Sequence, residues 1–189
     1  MTNTFMAQKI LMIRHAEKPV AGSLPNGVTA DGVQDDHSLI VRGWQRAGAL
    51  AMLLASDTPL PLARPQFVFA ASGQTSAKSQ RSKQTVMPLV TKLGNAVVAS
   101  FDFGVGQELS VAEAIGQCAG VVLVAWEHHN IPIIASSFPL SSNNKAPVGL
   151  WPDDRFDLVW VFDQDASAPG SGYIFSQVAQ LLLAGDQEV

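Results

Sequence analysis

Hydrophobic residues occur along the chain in short continuous runs, separated by stretches with a different spacing. A run of about four to eight apolar residues predicts a strand buried on both faces of a sheet. The clearest run is Gly120–Trp126. The other predicted strands are Ile10–Ile13, Phe67–Ala71, Ala96–Phe101 and Leu158–Phe162. Tyr173–Val178 fits either an antiparallel edge strand or a helix, and we favour the strand.

The stretches between these runs carry apolar residues at three- and four-residue steps, the spacing of an amphipathic helix. The spacing is most regular in the helix predicted from Gly43 to Ser56, whose apolar positions are Trp44, Ala47, Leu50, Ala51 and Leu54. Further helices are predicted over Ser79–Leu93, Val111–Cys118 and Ile131–Ser137, the first of them bent near Pro88. Gly22–Gly32 and Phe138–Pro152 are rich in turn-forming residues and predict loops.

Strands separated by helices predict a three-layer α/β/α sandwich with a mainly parallel central sheet. The chain has 189 residues, enough for one core, so we expect a single domain over residues 1–189. Ligands of such sheets bind beyond the carboxyl ends of the strands. Those ends carry Arg14-His15, Ala71-Ser72, Phe101-Asp102 and Glu127-His128. Two of the four therefore hold a histidine, in a chain with four histidines.

Composition and charge exclude several classes of protein. Only 15% of the residues are charged and 47% are hydrophobic, which argues against disorder. The net charge of −4 argues against a nucleic-acid partner, because nucleic-acid binding needs a basic face. The single cysteine, Cys118, excludes an internal disulfide framework and a multi-thiolate metal site. Neither a signal peptide nor an apolar stretch of about 20 residues occurs, so we expect a cytoplasmic protein without a membrane partner.

The dipeptide Arg14-His15 combines two side chains suited to phosphate chemistry. An imidazole with an ordinary pKa is largely neutral at neutral pH and can act as a nucleophile. A guanidinium offers a planar fork of donors that matches phosphate oxygens. Successive side chains of a strand point to opposite faces, so the two residues converge only if the chain turns there. By itself, such a pair is also what a solvated strand end would show.

The segment ILMIRHAEK contains this pair, and three further segments follow it in the chain. They are LIVRGWQRAGAL, SQRSKQT and VVLVAWEHHNIP, and the four segments together span about Ile10 to Ile133. In this order, they resemble the signature segments of the histidine phosphatase superfamily, the group that includes the phosphoglycerate mutase-like enzymes. The chain departs from the family at Ala16, where many members have glycine, and in the inserted segment Ser72–Ser79, interpreted as a substrate loop or a solvated insertion.

The resemblance implies a role for each matching residue. His15 would be the nucleophile that becomes phosphorylated, and Arg14 and Arg81 would clamp the phosphoryl oxygens. His128 would complete the pocket, and it is favoured over His129 because it lies closer to the end of the strand. Two arginines and a histidine can position and neutralise a phosphoryl group without a metal or a cofactor, and we expect neither.

The proton donor for the leaving alcohol is less defined by the sequence. Glu108, in the turn after the third predicted strand, is the first choice among four carboxylates. The alternatives are Asp102, Glu17 and Glu127. Glu127 is expected to point away from His128 if the strand stays regular, because neighbouring side chains alternate between faces.

The sequence therefore predicts a metal-independent phosphatase that hydrolyses phosphate monoesters through a phosphohistidine on His15. Its expected partner is a small phosphorylated substrate, with pocket walls formed by the loops Gly22–Gly32, Ser72–Lys78 and Phe138–Pro152. One alternative is a mutase, which usually needs a lid to exclude water. Another is a non-catalytic protein that binds a phosphorylated ligand on the same scaffold. His37, beside Asp35 and Asp36, is interpreted as part of a helix-capping loop and not as a metal ligand.

Overall fold

The computed structural model describes residues 6–56, 61–72, 79–142, 149–168 and 170–189. The strands are β1 (Ala7–Arg14), β2 (Phe67–Ala70), β3 (Val98–Ser100), β4 (Gly120–Trp126), β5 (Leu158–Gln164) and β6 (Tyr173–Ala179). The helices are α1 (Val41–Ala55), α2 (Arg81–Leu93), α3 (Glu108–Gly116) and α4 (Ile131–Ala135). Every predicted strand and helix is present, and the ambiguous sixth segment is a strand.

The strands form one six-stranded sheet in the order β3-β2-β4-β1-β5-β6. The first four strands of that order are mutually parallel, with β1 paired to β4 from Ala7 to Arg14. β5 runs antiparallel to β1, and β6 runs antiparallel to β5. The predicted α/β architecture with a mainly parallel sheet is therefore confirmed.

Helices cover both faces of the sheet, as the alternation of side chains along β1 requires. Leu11 and Ile13 pack on the face that α1 and α2 cover. Ile10 and Met12 pack on the opposite face, against α3 and α4. All four side chains are at most 1% exposed, so the sheet is the middle layer of three. Among the described residues, no helix has the length and apolar character needed to cross a membrane.

A glycine lets α1 approach the loop that follows β1. A Cβ atom on Gly43 would lie 2.4 Å from the backbone oxygen of Glu17, a distance that a real side chain does not tolerate. The same Glu17 oxygen accepts a hydrogen bond from the Ile40 N–H at 3.1 Å, immediately before the helix. The first turn of α1 is thereby held against the residues that follow the end of β1.

A buried ionic network joins this loop to the end of the chain. Arg46 of α1 donates to both carboxylate oxygens of Glu17, with the shortest contact at 2.8 Å. It also donates to both carboxylate oxygens of Asp186, at 3.0 and 2.7 Å. The Arg46 and Asp186 side chains are only 2% and 3% exposed. Pairing holds the pKa of Asp186 at about 2 against the opposing effect of burial.

Candidate active site

A cavity of 610 Å³ lies at the carboxyl ends of the parallel strands, where the sequence predicts a ligand site. His15 follows β1, Ala71 and Ser72 follow β2, and Glu127 follows β4, and all four residues line this cavity. Other lining residues are Lys18, Ser79, Arg81, Ser82 and residues 104–107. Because each strand contributes its terminal residues, the parallel topology itself assembles the site.

His15 is held in a defined orientation beside this cavity. Its side chain is buried, and ring atom Nδ1 lies 2.8 Å from the backbone oxygen of Ala16. A carbonyl oxygen can only accept, so Nδ1 carries the proton and Nε2 keeps its lone pair. Burial lowers the pKa of His15 to about 3, and the neighbouring cations Arg14, Arg81 and Lys18 add to this effect. His15 is therefore a neutral imidazole at physiological pH.

Two cations among the described residues, Arg81 and Lys18, line the cavity together with His15. Arg81 begins α2, and its Nε and Nη2 donate to the backbone oxygens of Ser38 at 3.3 Å and Asp36 at 2.5 Å. Lys18 is half-buried, and burial together with Arg14 and Arg81 lowers its pKa. Arg81 also lines a second cavity of 380 Å³, formed mainly by residues 19–24. The predicted loop Gly22–Gly32 thus contributes to a wall next to Arg81.

Arg14 lies beside the cavity and is not part of its lining. Its Nη1 donates to the Asp153 backbone oxygen at 2.5 Å, and its guanidinium carbon stacks 3.8 Å from the centre of the Phe156 ring. The side chain is 2% exposed, and burial lowers its pKa to about 10. Its Nε has no hydrogen-bond partner among the described residues. Arg14 therefore carries an incompletely bonded positive charge next to His15.

His128 belongs to a cluster of four side chains, called here the strand-end cluster: Glu127, His128, His129 and Asp153. Glu127 Oε1 lies 2.8 Å from His128 Nδ1 and 3.1 Å from His129 Nδ1. Asp153 Oδ1 lies 3.0 Å from His128 Nε2 and 3.3 Å from His129 Nε2. The two rings are stacked with their centroids 3.9 Å apart. Burial, and next the charge of Arg14, lower the pKa of His128.

The expectation that Glu127 points away from His128 is wrong. β4 ends at Trp126, and the chain turns directly after Glu127, so the alternation of a regular strand no longer applies. Glu127 is consequently in contact with His128 and also lines the cavity beside His15. Among the residues that the structure describes, it is the one carboxylate in the cavity wall.

The other three carboxylates are arranged differently. Glu108, the first choice from the sequence, does not line the cavity. It is buried, accepts the indole N–H of Trp126 at 3.0 Å, and accepts the backbone N–H of Gly106 through both oxygens at 3.0 Å. Glu17 is paired with Arg46, and Asp102 is exposed and accepts the Ser100 hydroxyl.

The structure adds two residues that the sequence reasoning did not assign. Lys18 is one, and its signal was present as a basic residue three positions after His15. Thr85 is the other. Its hydroxyl accepts the Ala16 N–H at 2.8 Å and donates to the Arg81 backbone oxygen at 2.7 Å.

Most of the Ser72–Ser79 insertion, residues 73–78, lies outside the described residues, as do residues 143–148 of the Phe138–Pro152 loop.

Comparison with solved structures finds a similar fold in proteins that are described as phosphatases. A protein histidine phosphatase SixA complexed with tungstate is 14% identical, with a TM-score of 0.51 and coverage of 91% of this chain and 97% of that one. A protein from Agrobacterium tumefaciens, described as the phosphohistidine phosphatase SixA, is 16% identical, with a TM-score of 0.49 and coverages of 91% and 98%. A protein from Escherichia coli described as an alpha-ribazole-5'-P phosphatase is 12% identical, with a TM-score of 0.47 and coverages of 92% and 95%.

The sequence itself gives no comparable match. No family model matches the chain. No curated protein matches it at a significant level. The predicted resemblance to the histidine phosphatase superfamily is therefore confirmed as a likeness of fold, while the roles of the individual residues remain predictions.

Proposed function

We propose that this chain, which has the fold of the histidine phosphatases, hydrolyses phosphate monoesters through a phosphohistidine on His15. The observation that carries the proposal is the state of His15. Ring atom Nδ1 of His15 donates a hydrogen bond to the Ala16 oxygen, and burial lowers the pKa of the imidazole to about 3. The same side chain lines a cavity together with two cationic side chains. A buried histidine with a merely structural role would not need that charged surrounding.

The cations around His15 match the charge of a phosphoryl group. Arg81 and Lys18 line the cavity, and Arg14 acts on His15 electrostatically from its buried position. In phosphoryl transfer, negative charge spreads over the three equatorial oxygens, and fixed donors stabilise it there. The net charge of −4 is compatible with binding of an anionic phosphoryl group, because such binding depends on the donors in the cavity and not on the net charge of the whole protein.

The chemistry proceeds in two displacements. In the first, the Nε2 lone pair of His15 forms a bond to phosphorus while the bond from phosphorus to the ester oxygen breaks, and Glu127 gives its proton to the departing alkoxide. In the second, Glu127 takes a proton from water, and the hydroxide forms a bond to phosphorus as the bond to Nε2 breaks. The products are the alcohol and inorganic phosphate, and His15 returns to its neutral form.

Glu127 is the proposed proton carrier because it is the carboxylate in the wall of the cavity that holds His15. His128 lies directly beside that carboxylate, with its Nδ1 2.8 Å from Glu127 Oε1. Glu108 is less suited, because its two oxygens already accept from Trp126 and Gly106. The cavity volume of 610 Å³ lies within the range of about 300 to 1,000 Å³ of small-molecule sites, which favours a small phosphate ester.

A chromogenic phosphate monoester tests the proposal. We expect wild-type protein to hydrolyse it with and without EDTA, and His15→Ala to lose the activity at unchanged folding. Absence of turnover by the wild type between about pH 4 and 9 would overturn the proposal and favour a binding protein. Exchange of phosphate between two phosphoglycerates faster than hydrolysis would overturn it in favour of a mutase.

A further inference from the structure

The strand-end cluster brings together the donor atoms that transition metals prefer. Imidazole nitrogens and carboxylate oxygens are typical ligands of Zn²⁺, whereas Mg²⁺ and Ca²⁺ prefer sets composed of oxygens. Glu127, His128 and His129 each offer one ligand atom, and the three atoms lie within 4.8 Å of one another. Among the described residues, no other group of three His, Cys, Asp or Glu side chains is arranged in this way.

Two distances within the cluster are slightly shorter than those of a tetrahedral site. Bonds of about 2.0 to 2.2 Å to a central ion place neighbouring ligand atoms roughly 3.4 Å apart. Glu127 Oε1 now lies 2.8 Å from His128 Nδ1 and 3.1 Å from His129 Nδ1. Shifts of about half an ångström would therefore admit the ion.

Hydrogen bonding does not account for the whole arrangement. His128 Nδ1 is buried and has no hydrogen-bond partner among the described residues, although Glu127 Oε1 is only 2.8 Å away. The two groups thus face each other without the alignment of a hydrogen bond. Buried polar atoms are rarely left in this state, and a bound cation between the nitrogen and the oxygen would satisfy both.

The cluster also has an open side. His128 is 4% exposed, whereas the side chains of His129 and Asp153 are 63% and 81% exposed. An ion can therefore enter from solvent, and the fourth position is open to water. Asp153 contacts the opposite edges of the two rings, with Oδ1 3.0 Å from His128 Nε2 and 3.3 Å from His129 Nε2. Three protein ligands with one open position is a common arrangement of accessible zinc sites.

We propose that Glu127, His128 and His129 bind a zinc-class divalent cation, and that the bound ion inhibits the enzyme. The inhibitory part rests on the proposed function, because Glu127 is the proposed proton carrier in the cavity beside His15. A carboxylate ligated to a metal cannot give or take a proton, and His128 would be held by the same ion. The metal therefore lowers the activity, and chelation restores it.

Isothermal titration calorimetry with untagged full-length protein tests the binding. We expect about one Zn²⁺ per chain and no measurable heat with Mg²⁺. His129→Asn removes an exposed ligand and should weaken Zn²⁺ binding about tenfold or more, with an unchanged melting temperature. His37→Asn makes the same substitution at the other exposed histidine and should bind as the wild type does. No uptake by the wild type, or equal affinity in His129→Asn, would overturn the site and leave an ion-paired cluster only.

Phosphatase assays test the inhibition separately. We expect Zn²⁺ to inhibit wild type and His37→Asn at the concentrations that saturate the calorimetric site, EDTA to reverse the effect, and His129→Asn to need about tenfold more Zn²⁺. Inhibition with the same midpoint in His129→Asn would overturn the inhibitory role. If the wild type hydrolyses no phosphate ester, the proposed function falls, while the calorimetry still decides whether the metal site exists.

Discussion

The hydroxyl of Thr85 accepts a hydrogen bond from the backbone N–H of Ala16 at 2.8 Å and so joins α2 to the residue that follows His15. The same hydroxyl donates to the Arg81 backbone oxygen at 2.7 Å. A single oxygen atom therefore links the backbone next to the proposed nucleophile with the backbone of Arg81, a proposed phosphate-binding cation.

Thr85→Val keeps the shape of the side chain and removes both hydrogen bonds. The buried Ala16 N–H then lacks a partner, which costs about 1 to 3 kcal/mol of unfolding free energy. We also expect kcat to fall more than KM rises, because the distance between His15 and Arg81 is no longer fixed. Urea unfolding and steady-state kinetics measure the two effects. Thr85→Ser retains the hydroxyl and should restore most of kcat, whereas a kcat of Thr85→Ser as low as that of Thr85→Val would contradict the explanation.

Glu127→Gln should lower kcat by about 10² to 10⁴-fold, because the amide cannot transfer the proton. The loss should be smaller for esters with acidic leaving groups, which depart without protonation. Glu108→Gln is the matched control, since the amide oxygen can still accept from Trp126, and its kcat should stay close to that of the wild type. A larger loss in Glu108→Gln than in Glu127→Gln would return the role to Glu108.

The unfolding free energy should fall as the pH decreases through the ordinary pKa of histidine. The folded protein keeps His15 neutral to a pH of about 3, while the unfolded chain takes up that proton near pH 6.5. The unfolded state therefore binds more protons between these values, and stability is lost as the pH falls. His15 alone should account for about 2 kcal/mol between about pH 7 and pH 5.

His15→Asn isolates this contribution, because asparagine does not titrate and its amide can still donate toward the Ala16 oxygen. Urea unfolding at the two pH values should show a smaller loss for His15→Asn than for the wild type. Equal losses in the two proteins would mean that His15 is not held neutral by the fold.

Arg46→Ala should destabilise the protein by about 3 to 5 kcal/mol, because it removes the buried cation of Glu17 and Asp186 and leaves them only the partly exposed Arg42. Arg42→Ala is the control. Its side chain is 42% exposed and also contacts Glu17, so the loss should be below about 1 kcal/mol. Urea unfolding measures the unfolding free energy of the two variants. Similar losses of unfolding free energy in both would contradict the expectation that the buried Arg46 stabilises the protein more than the exposed Arg42.

The strand pattern of the sequence was informative wherever apolar residues were continuous. Gly120–Trp126 is predicted and observed with the same bounds, because this strand is buried in the middle of the sheet. The predicted strand Ala96–Phe101 shortens to Val98–Ser100. It lies at the edge of the sheet, where Gly94–Ala96 form a 3-10 turn and where β2 is its single partner among the described strands. An edge strand leaves a weaker hydrophobic pattern than a central strand.

The site was predictable as far as it follows from strand ends. His15 and Glu127 come together because parallel strands deliver their carboxyl ends to one edge. The direction of Glu127 was not predictable, since it depends on the turn after Trp126. The contact between Arg46 and Asp186 was equally hidden, because the two residues are 140 positions apart in the chain and meet only in the folded protein.

The most direct test of the account is detection of the phosphorylated intermediate. Wild-type protein is mixed with a chromogenic phosphate ester, quenched in alkali to preserve phosphohistidine, and digested for mass spectrometry. We expect one added phosphoryl group on the peptide that contains His15, and none in His15→Asn treated in the same way. Turnover of the ester without phosphorylation of that peptide, or with the phosphoryl group on His128 or another residue, would contradict the account.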